Sequence, residues 1–163
     1  EAQNILKAEA WLHGRSTPNV LTPGFARQLH KRMFDETWQW AGIFRTSEKS
    51  LGIAPEQIAV RTRDLCHDVK AQLAQGSMPL DEIAAMFHHR LVSIHLFANG
   101  NGRHARMITD VLLRINGAER FSWGSGNLNN DNTVRDRYIA ALRAADGRNY
   151  KPLFKFVRSS RSS

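Results

Sequence analysis

Residues 80–115, LDEIAAMFHHRLVSIHLFANGNGRHARMITDVLLRI, decide the fold. Leu80, Ile83, Ala84, Phe87, Leu91 and Ile94 recur three and four residues apart, which puts them on one face of a helix. Asp81 and Glu82 fall in its first turn, where acids suit the positive end of the helix dipole. The stripe ends at His95. A second stripe, Ile108, Val111, Leu112 and Ile115, is closed by Asn116-Gly117. Between them runs His95-Leu96-Phe97-Ala98-Asn99-Gly100-Asn101-Gly102-Arg103-His104-Ala105-Arg106. Glycines on both sides of an asparagine let successive backbone N–H groups point at one oxyanion. A helix opening near Gly102 adds its own unpaired N–H groups. Arg103 and Arg106, three apart, share a helix face and can grip neighbouring phosphates. This is the layout of an anion site beside a base.

Outward from this core the same helical period recurs. Ile5, Ala8 and Leu12 predict a first helix ended by Gly14. Thr22-Pro23 supplies an N-cap and a first-turn proline ahead of Phe25, Leu29 and Met33. Pro55 opens a helix bearing Ile58, Leu65, Val69 and Leu73, with Gly76 as its stop. Val134, Tyr138, Ile139 and Leu142 predict another, ended near Gly147, and Leu153, Phe154 and Val157 a short last one. Two stretches break the pattern. Trp38, Trp40 and Phe44 alternate with smaller residues, so Ile43 to Ile53 is expected to be an extended flap or short hairpin with Thr46, Ser47, Glu48, Lys49 and Ser50 near its tip. Residues 118–131 lack a period and are expected to form a loop able to move over a ligand. The expectation is an all-α domain of six or seven helices with one small extended element.

A chain of 163 residues predicts a single domain, residues 1–163, with enough length for a core of its own. Glu1 begins a segment that already reads as helical, so upstream residues are expected to be missing. The lone Cys66 excludes an intrachain disulfide and falls on an apolar helix face, as a small buried hydrophobe. No apolar run reaches the length of a bilayer span, so no membrane partner is expected and a reducing, cytoplasmic setting fits best. The net charge of +8 raises nucleic acid as a partner class, but the basic residues are scattered, and a positive field equally suits a nucleoside triphosphate. Nucleic acid is therefore the weaker expectation.

The stretch His95-x-Phe97-x-Asn99-Gly100-Asn101-Gly102-Arg103-x-x-Arg106 resembles the signature of Fic-domain proteins, His-Pro-Phe-x-acid-Gly-Asn-Gly-Arg-x-x-Arg. His88 and the stretch Trp40-Ala41-Gly42-x-Phe44-Arg45 agree with that family's preceding helix and flap. With Phe87-His88-His89-Arg90 and Tyr138-Ile139-Ala140-Ala141-Leu142, the chain resembles the Fic branch catalogued as mobile mystery protein B. The resemblance implies a Fic-like helical domain with a small β-hairpin flap. It implies a bacterial, cytoplasmic protein adenylyltransferase, or one delivered to another cell, that moves AMP from ATP to a Ser, Thr or Tyr hydroxyl of a target protein. His95 would be the general base. Phe97 would lie buried beneath the loop and hold it. Gly100, Asn101 and Gly102 would cradle the α- and β-phosphates, Asn101 adding a side-chain amide donor. Arg103 would stabilise charge there, and Arg106 would hold the γ-phosphate. The flap, Thr46 to Ser50, would dock the target segment by main-chain hydrogen bonds.

Two positions depart from the signature. Leu96 stands where the family has proline, which bears on loop rigidity. Asn99 stands where the family has the acid that holds Mg²⁺, and an amide oxygen brings that ion no charge. Mg²⁺ with ATP remains the implied cofactor, bound weakly at Asn99, and Asn99→Asp is expected to strengthen metal-dependent transfer. The histidines His88, His89, His95 and His104 lack zinc-ligand spacing. His88 is expected to be hydrogen-bonded within the packing, His104 to face solvent, and Tyr138 to be core or the wall of an adenine pocket. The competing class is a non-catalytic nucleotide- or nucleic-acid-binding module of a toxin or mobile-element system. Within the enzyme class, a different phosphate-containing donor or a deAMPylating activity stays open. Many relatives of the family are restrained by an inhibitory helix with a Ser/Thr-x-x-x-Glu pattern; no convincing copy is present, which leaves such a helix upstream, on another chain, or absent.

Overall fold

Seven α-helices carry the fold in a computed structural model whose described residues are 1–14, 18–128 and 130–160. They are α1 (Ala2–His13), α2 (Pro23–Phe34), α3 (Ile58–Gln75), α4 (Leu80–Ile94), α5 (Asn101–Ile115), α6 (Asn132–Asp146) and α7 (Lys151–Val157), with 3-10 turns at Pro55–Gln57 and Trp123–Ser125. No strand occurs among the described residues. The all-α expectation holds.

Local chemistry sets the ends. Thr22 Oγ1 accepts from Phe25 N at 3.0 Å and starts α2. Asp131 does the same for α6, accepting from Thr133 N and Val134 N. Gly76 closes α3 in the left-handed conformation, φ +63°, where its N–H reaches Gln72 O. The helices α1 and α2, α3 and α4, α4 and α5, and α6 and α7 pack as neighbours, and α2 also lies against α5. One face of helix α5 is therefore buried: Ala105, Ile108, Leu112 and Leu113 are each at most 1% exposed. Packed on α4 and α2, the helix backs the loop that precedes it.

The expected β-hairpin is not formed. Residues 43–53 run as irregular chain tied to the α4–α5 junction. Arg45 N donates to Leu96 O at 2.9 Å and Ile53 N to Ile94 O at 3.4 Å. The Arg45 side chain, 5% exposed, donates to the carbonyls of Ser47, Ile53, Ile94 and His95. A guanidinium planted inside the flap takes the Ser47 and Ile53 carbonyls and ties them to the end of α4. Trp38 and Trp40 stack on each other at 4.6 Å and pack against the core, as expected of core aromatics.

Candidate active site

His95 ends α4 in the left-handed conformation, φ +58°, unusual for a residue with a side chain. Its backbone is tied from both sides. Its N–H reaches Leu91 O at 3.1 Å, and its carbonyl accepts from Arg45 Nε at 2.5 Å. This turn lifts the imidazole out of the helix to line a cleft of ≈ 430 Å³. Partial burial, then Arg45 and Lys49, push its pKa down, so the ring is neutral near pH 7.

The loop after His95 is pinned before it cradles anything. Leu96 and Phe97 are buried to 1% and 0% exposure. His30, also 0% exposed, stacks on Phe97 with ring centroids 3.7 Å apart. Gly42 N donates to His30 Nδ1 at 2.9 Å, so the imidazole proton sits on Nε2 and is donated to Asn99 O at 3.0 Å. One buried ring thus joins the root of the flap to the cradle. Gly100 follows with φ +77°, where a Cβ would stand 2.7 Å from Phe34 Cε2.

The Asn101 side chain is engaged within its own loop. Its Oδ1 accepts from Phe97 N at 2.9 Å and its Nδ2 donates to Phe97 O at 2.8 Å. The amide closes the loop on itself, and a single Nδ2 hydrogen is left for any ligand. His104 is a correction. It is 1% exposed and donates from Nε2 to Ala26 O at 2.8 Å, because α2 covers that side of α5. His88 meets the expectation made for it: fully buried, its Nε2 lies 2.7 Å from the Tyr138 hydroxyl.

Arg103 and Arg106 line the same cleft as His95 and the Asn99–Gly102 backbone. Arg103 lies over the Phe34 ring at 4.9 Å and pairs with the Glu1 carboxylate. Arg106 lies over the Tyr138 ring at 5.5 Å. A Cβ at Gly102 would approach its Nη1 to 3.3 Å, so the second cradle glycine leaves room for this guanidinium. Leu51, Val92, Leu128 and Ile139 add apolar surface to the lining. A neutral imidazole, the backbone of the Asn99–Gly102 loop, three guanidiniums and apolar side chains in one cleft suit a phosphate ester that carries a flat organic group.

The cleft does not fit a protein-held Mg²⁺. No aspartate or glutamate lines it. Asn99 Oδ1 already accepts from Gly100 N at 2.8 Å, and the described residues contain no grouping of three His, Cys, Asp or Glu side chains suited to a metal.

A model of the Fic/DOC family matches residues 20–113, which include α2, the flap, the His95 loop and most of α5. The chain belongs to the Fic/DOC family. Protein adenylyltransferase fic-1 of Caenorhabditis briggsae is 26% identical to this Fic chain over 121 residues, 72% of this chain and 22% of the relative. The Caenorhabditis elegans protein of the same name is 25% identical over 121 residues, again 22% of its length. The chain thus spans about a fifth of these relatives. Among solved structures, Fic-1 from Caenorhabditis elegans superposes with a TM-score of 0.77 at 21% identity, covering 95% of this chain and 46% of that one. BepC, a VirB-translocated effector of Bartonella tribocorum with bound AMPPNP, gives 0.75 at 18% identity over 95% and 80%. At these identities the superpositions speak for the Fic fold.

Several site residues of this Fic chain escaped the sequence reading. His30 gave a signal: it sits four residues after Ala26 and three before Met33, on the buried face of α2. Arg45 was visible only as part of the flap pattern, with no role, because its partners lie about fifty residues away. Arg135 of α6 lines the cleft and had no pattern around it. The flap residues Thr46 to Ser50 are exposed, and of the flap only Leu51 reaches the cleft.

Proposed function

We propose that this Fic chain transfers AMP from ATP to a hydroxyl of a target protein. The observation that carries the reading is the meeting, in one cleft, of a neutral His95 with the Gly100–Gly102 backbone and Arg106. The target oxygen attacks the α-phosphorus while its proton passes to a ring nitrogen of His95. The bond from the α-phosphorus to the bridging oxygen breaks, and pyrophosphate leaves. The N–H groups at the start of α5 face the charge that builds on the phosphates, and Arg103, once released from Glu1, adds a guanidinium. Arg106 takes the terminal phosphate. Leu51, Val92, Leu128, Ile139 and Tyr138, all in the cleft lining, offer the purine apolar surface. Asn101 acts chiefly by holding Phe97 and the loop. The exposed flap, residues 46–50, with Ile43 and Leu51 51% and 67% exposed beside it, receives the target segment.

Names of relatives support the reaction class: the Caenorhabditis proteins are protein adenylyltransferases. Within the family we keep the placement in the mobile mystery protein B branch, on Phe87–Arg90 and Tyr138–Leu142. An inhibitory helix stays open as a partner from outside these residues. The deciding experiment is incubation with ATP labelled on the α-phosphate and a bacterial lysate. Labelled protein bands that vanish in His95→Ala support the transferase. Unlabelled protein that retains DNA at low salt and releases it at high salt would replace this reading with the binding module.

A further inference from the structure

The cleft is unusual in its charge. Three guanidinium groups line it, Arg103 and Arg106 from α5 and Arg135 from α6, and no carboxylate does. Of the three, Arg103 is paired with the Glu1 carboxylate. Arg106 and Arg135 have no ion-pair partner of that kind among the described residues. Tyr138 lines the cleft with them. Arg106 lies over its ring at 5.5 Å, and Arg135 is three residues before it on the same side of α6. Like charges gathered in a half-enclosed cleft repel each other and any added cation, and an anion relieves both. The one residue placed where a metal-holding acid would be, Asn99, is neutral and bonded to Gly100 N.

Resting on the nucleotide reading above, we infer that this cleft binds a nucleoside triphosphate without a protein-held divalent cation, and that Arg135 supplies, with Arg106, the positive charge such an ion would bring. Free ATP carries more negative charge than its magnesium complex, so removal of the metal strengthens attraction to the guanidiniums. Arg135 is exposed on the rim of the cleft, and its replacement leaves the core untouched.

The test is titration calorimetry of the purified chain with ATP, in EDTA and in excess Mg²⁺, repeated with adenosine. The expected Kd in EDTA equals or lies below that in Mg²⁺. Arg135→Gln weakens ATP by about tenfold, the loss typical of a hydrogen bond to a charged group, and leaves adenosine unchanged. Asn99→Asp gains a Mg²⁺ dependence that the native chain lacks. Native binding that falls about tenfold or more in EDTA overturns the inference while leaving the nucleotide reading intact. An equal loss for ATP and adenosine in Arg135→Gln, or no loss for ATP, overturns the role of Arg135. Absence of ATP binding in both buffers overturns the nucleotide reading and this inference together.

Discussion

Mild acid should dismantle the cradle before it touches most of the surface. His30, His88 and His104 are each at most 1% exposed, and burial pushes them down, His30 to about 4 and the other two to about 3. Arg106 adds to the shift of His88, and His30 to that of His104. In the unfolded chain all three titrate near 6.5. The unfolded state therefore takes the protons first, and stability falls as pH drops below 6.5 towards the folded values. Each ring contributes a slope of about 1.4 kcal/mol per pH unit, so each removes about 2 kcal/mol by pH 5. Asp110 acts the other way. Its pKa is raised to about 6 by burial, against the bonds it accepts from Trp123 and Phe121, and its protonation on the folded chain returns about 1 kcal/mol by pH 5. The net loss between pH 7.5 and 5 is about 5 kcal/mol, comparable with the whole stability of many domains. Urea unfolding followed by tryptophan fluorescence at pH 7.5, 6 and 5 measures it as a midpoint lowered by about 2 M or more. An unchanged midpoint at pH 5 would refute the claim that these rings are buried and neutral.

Three further outcomes follow from single sites. Gly52 has φ +97°, and a Cβ there would sit 2.6 Å from both His95 Cβ and Arg45 Nη2; Gly52→Ala should cost about 1–3 kcal/mol and expose residues 43–53 to proteolysis, read by limited digestion against the native chain. Asn101→Ala strands the buried N–H and carbonyl of Phe97, at about 1–3 kcal/mol for each, and should weaken nucleotide binding in calorimetry even where the protein remains folded by circular dichroism. The buried thiol of Cys66, pushed up to about 11 chiefly by desolvation, should resist iodoacetamide at pH 8 until urea unfolds the chain; rapid labelling of the native protein would contradict its burial.

Features set by near neighbours could be read from the sequence, and those set by distant ones could not. The Thr22 cap, the Gly76 stop and the stripes of α4 and α5 depend on residues within a few positions, and all formed as expected. The placement of His95 at a helix end was legible for the same reason. His104 was misplaced by its polarity, although it stands four before Ile108 on the stripe that is buried; a neutral imidazole needs only one carbonyl to enter a core, and Ala26 supplies it from another helix. The hairpin failed because alternating aromatics describe a strand only if the backbone finds a strand beside it. Here the Arg45 side chain found the end of α4 first. The second role of the Asn101 amide was hidden in the same way, since nothing in its spacing tells whether it faces a ligand or its own loop.

Arg45 has one more consequence, for ionic strength. Its side-chain hydrogen bonds are all to carbonyl oxygens, at Ser47, Ile53, Ile94 and His95, where fixed dipoles at short range replace a counterion. Mobile ions screen partners separated by water, and none of these pairs is. Rising salt will therefore leave the posture of the base and flap alone while it loosens the hold of the arginines on a charged ligand, which makes sodium chloride a reagent for telling architecture from recognition in this protein.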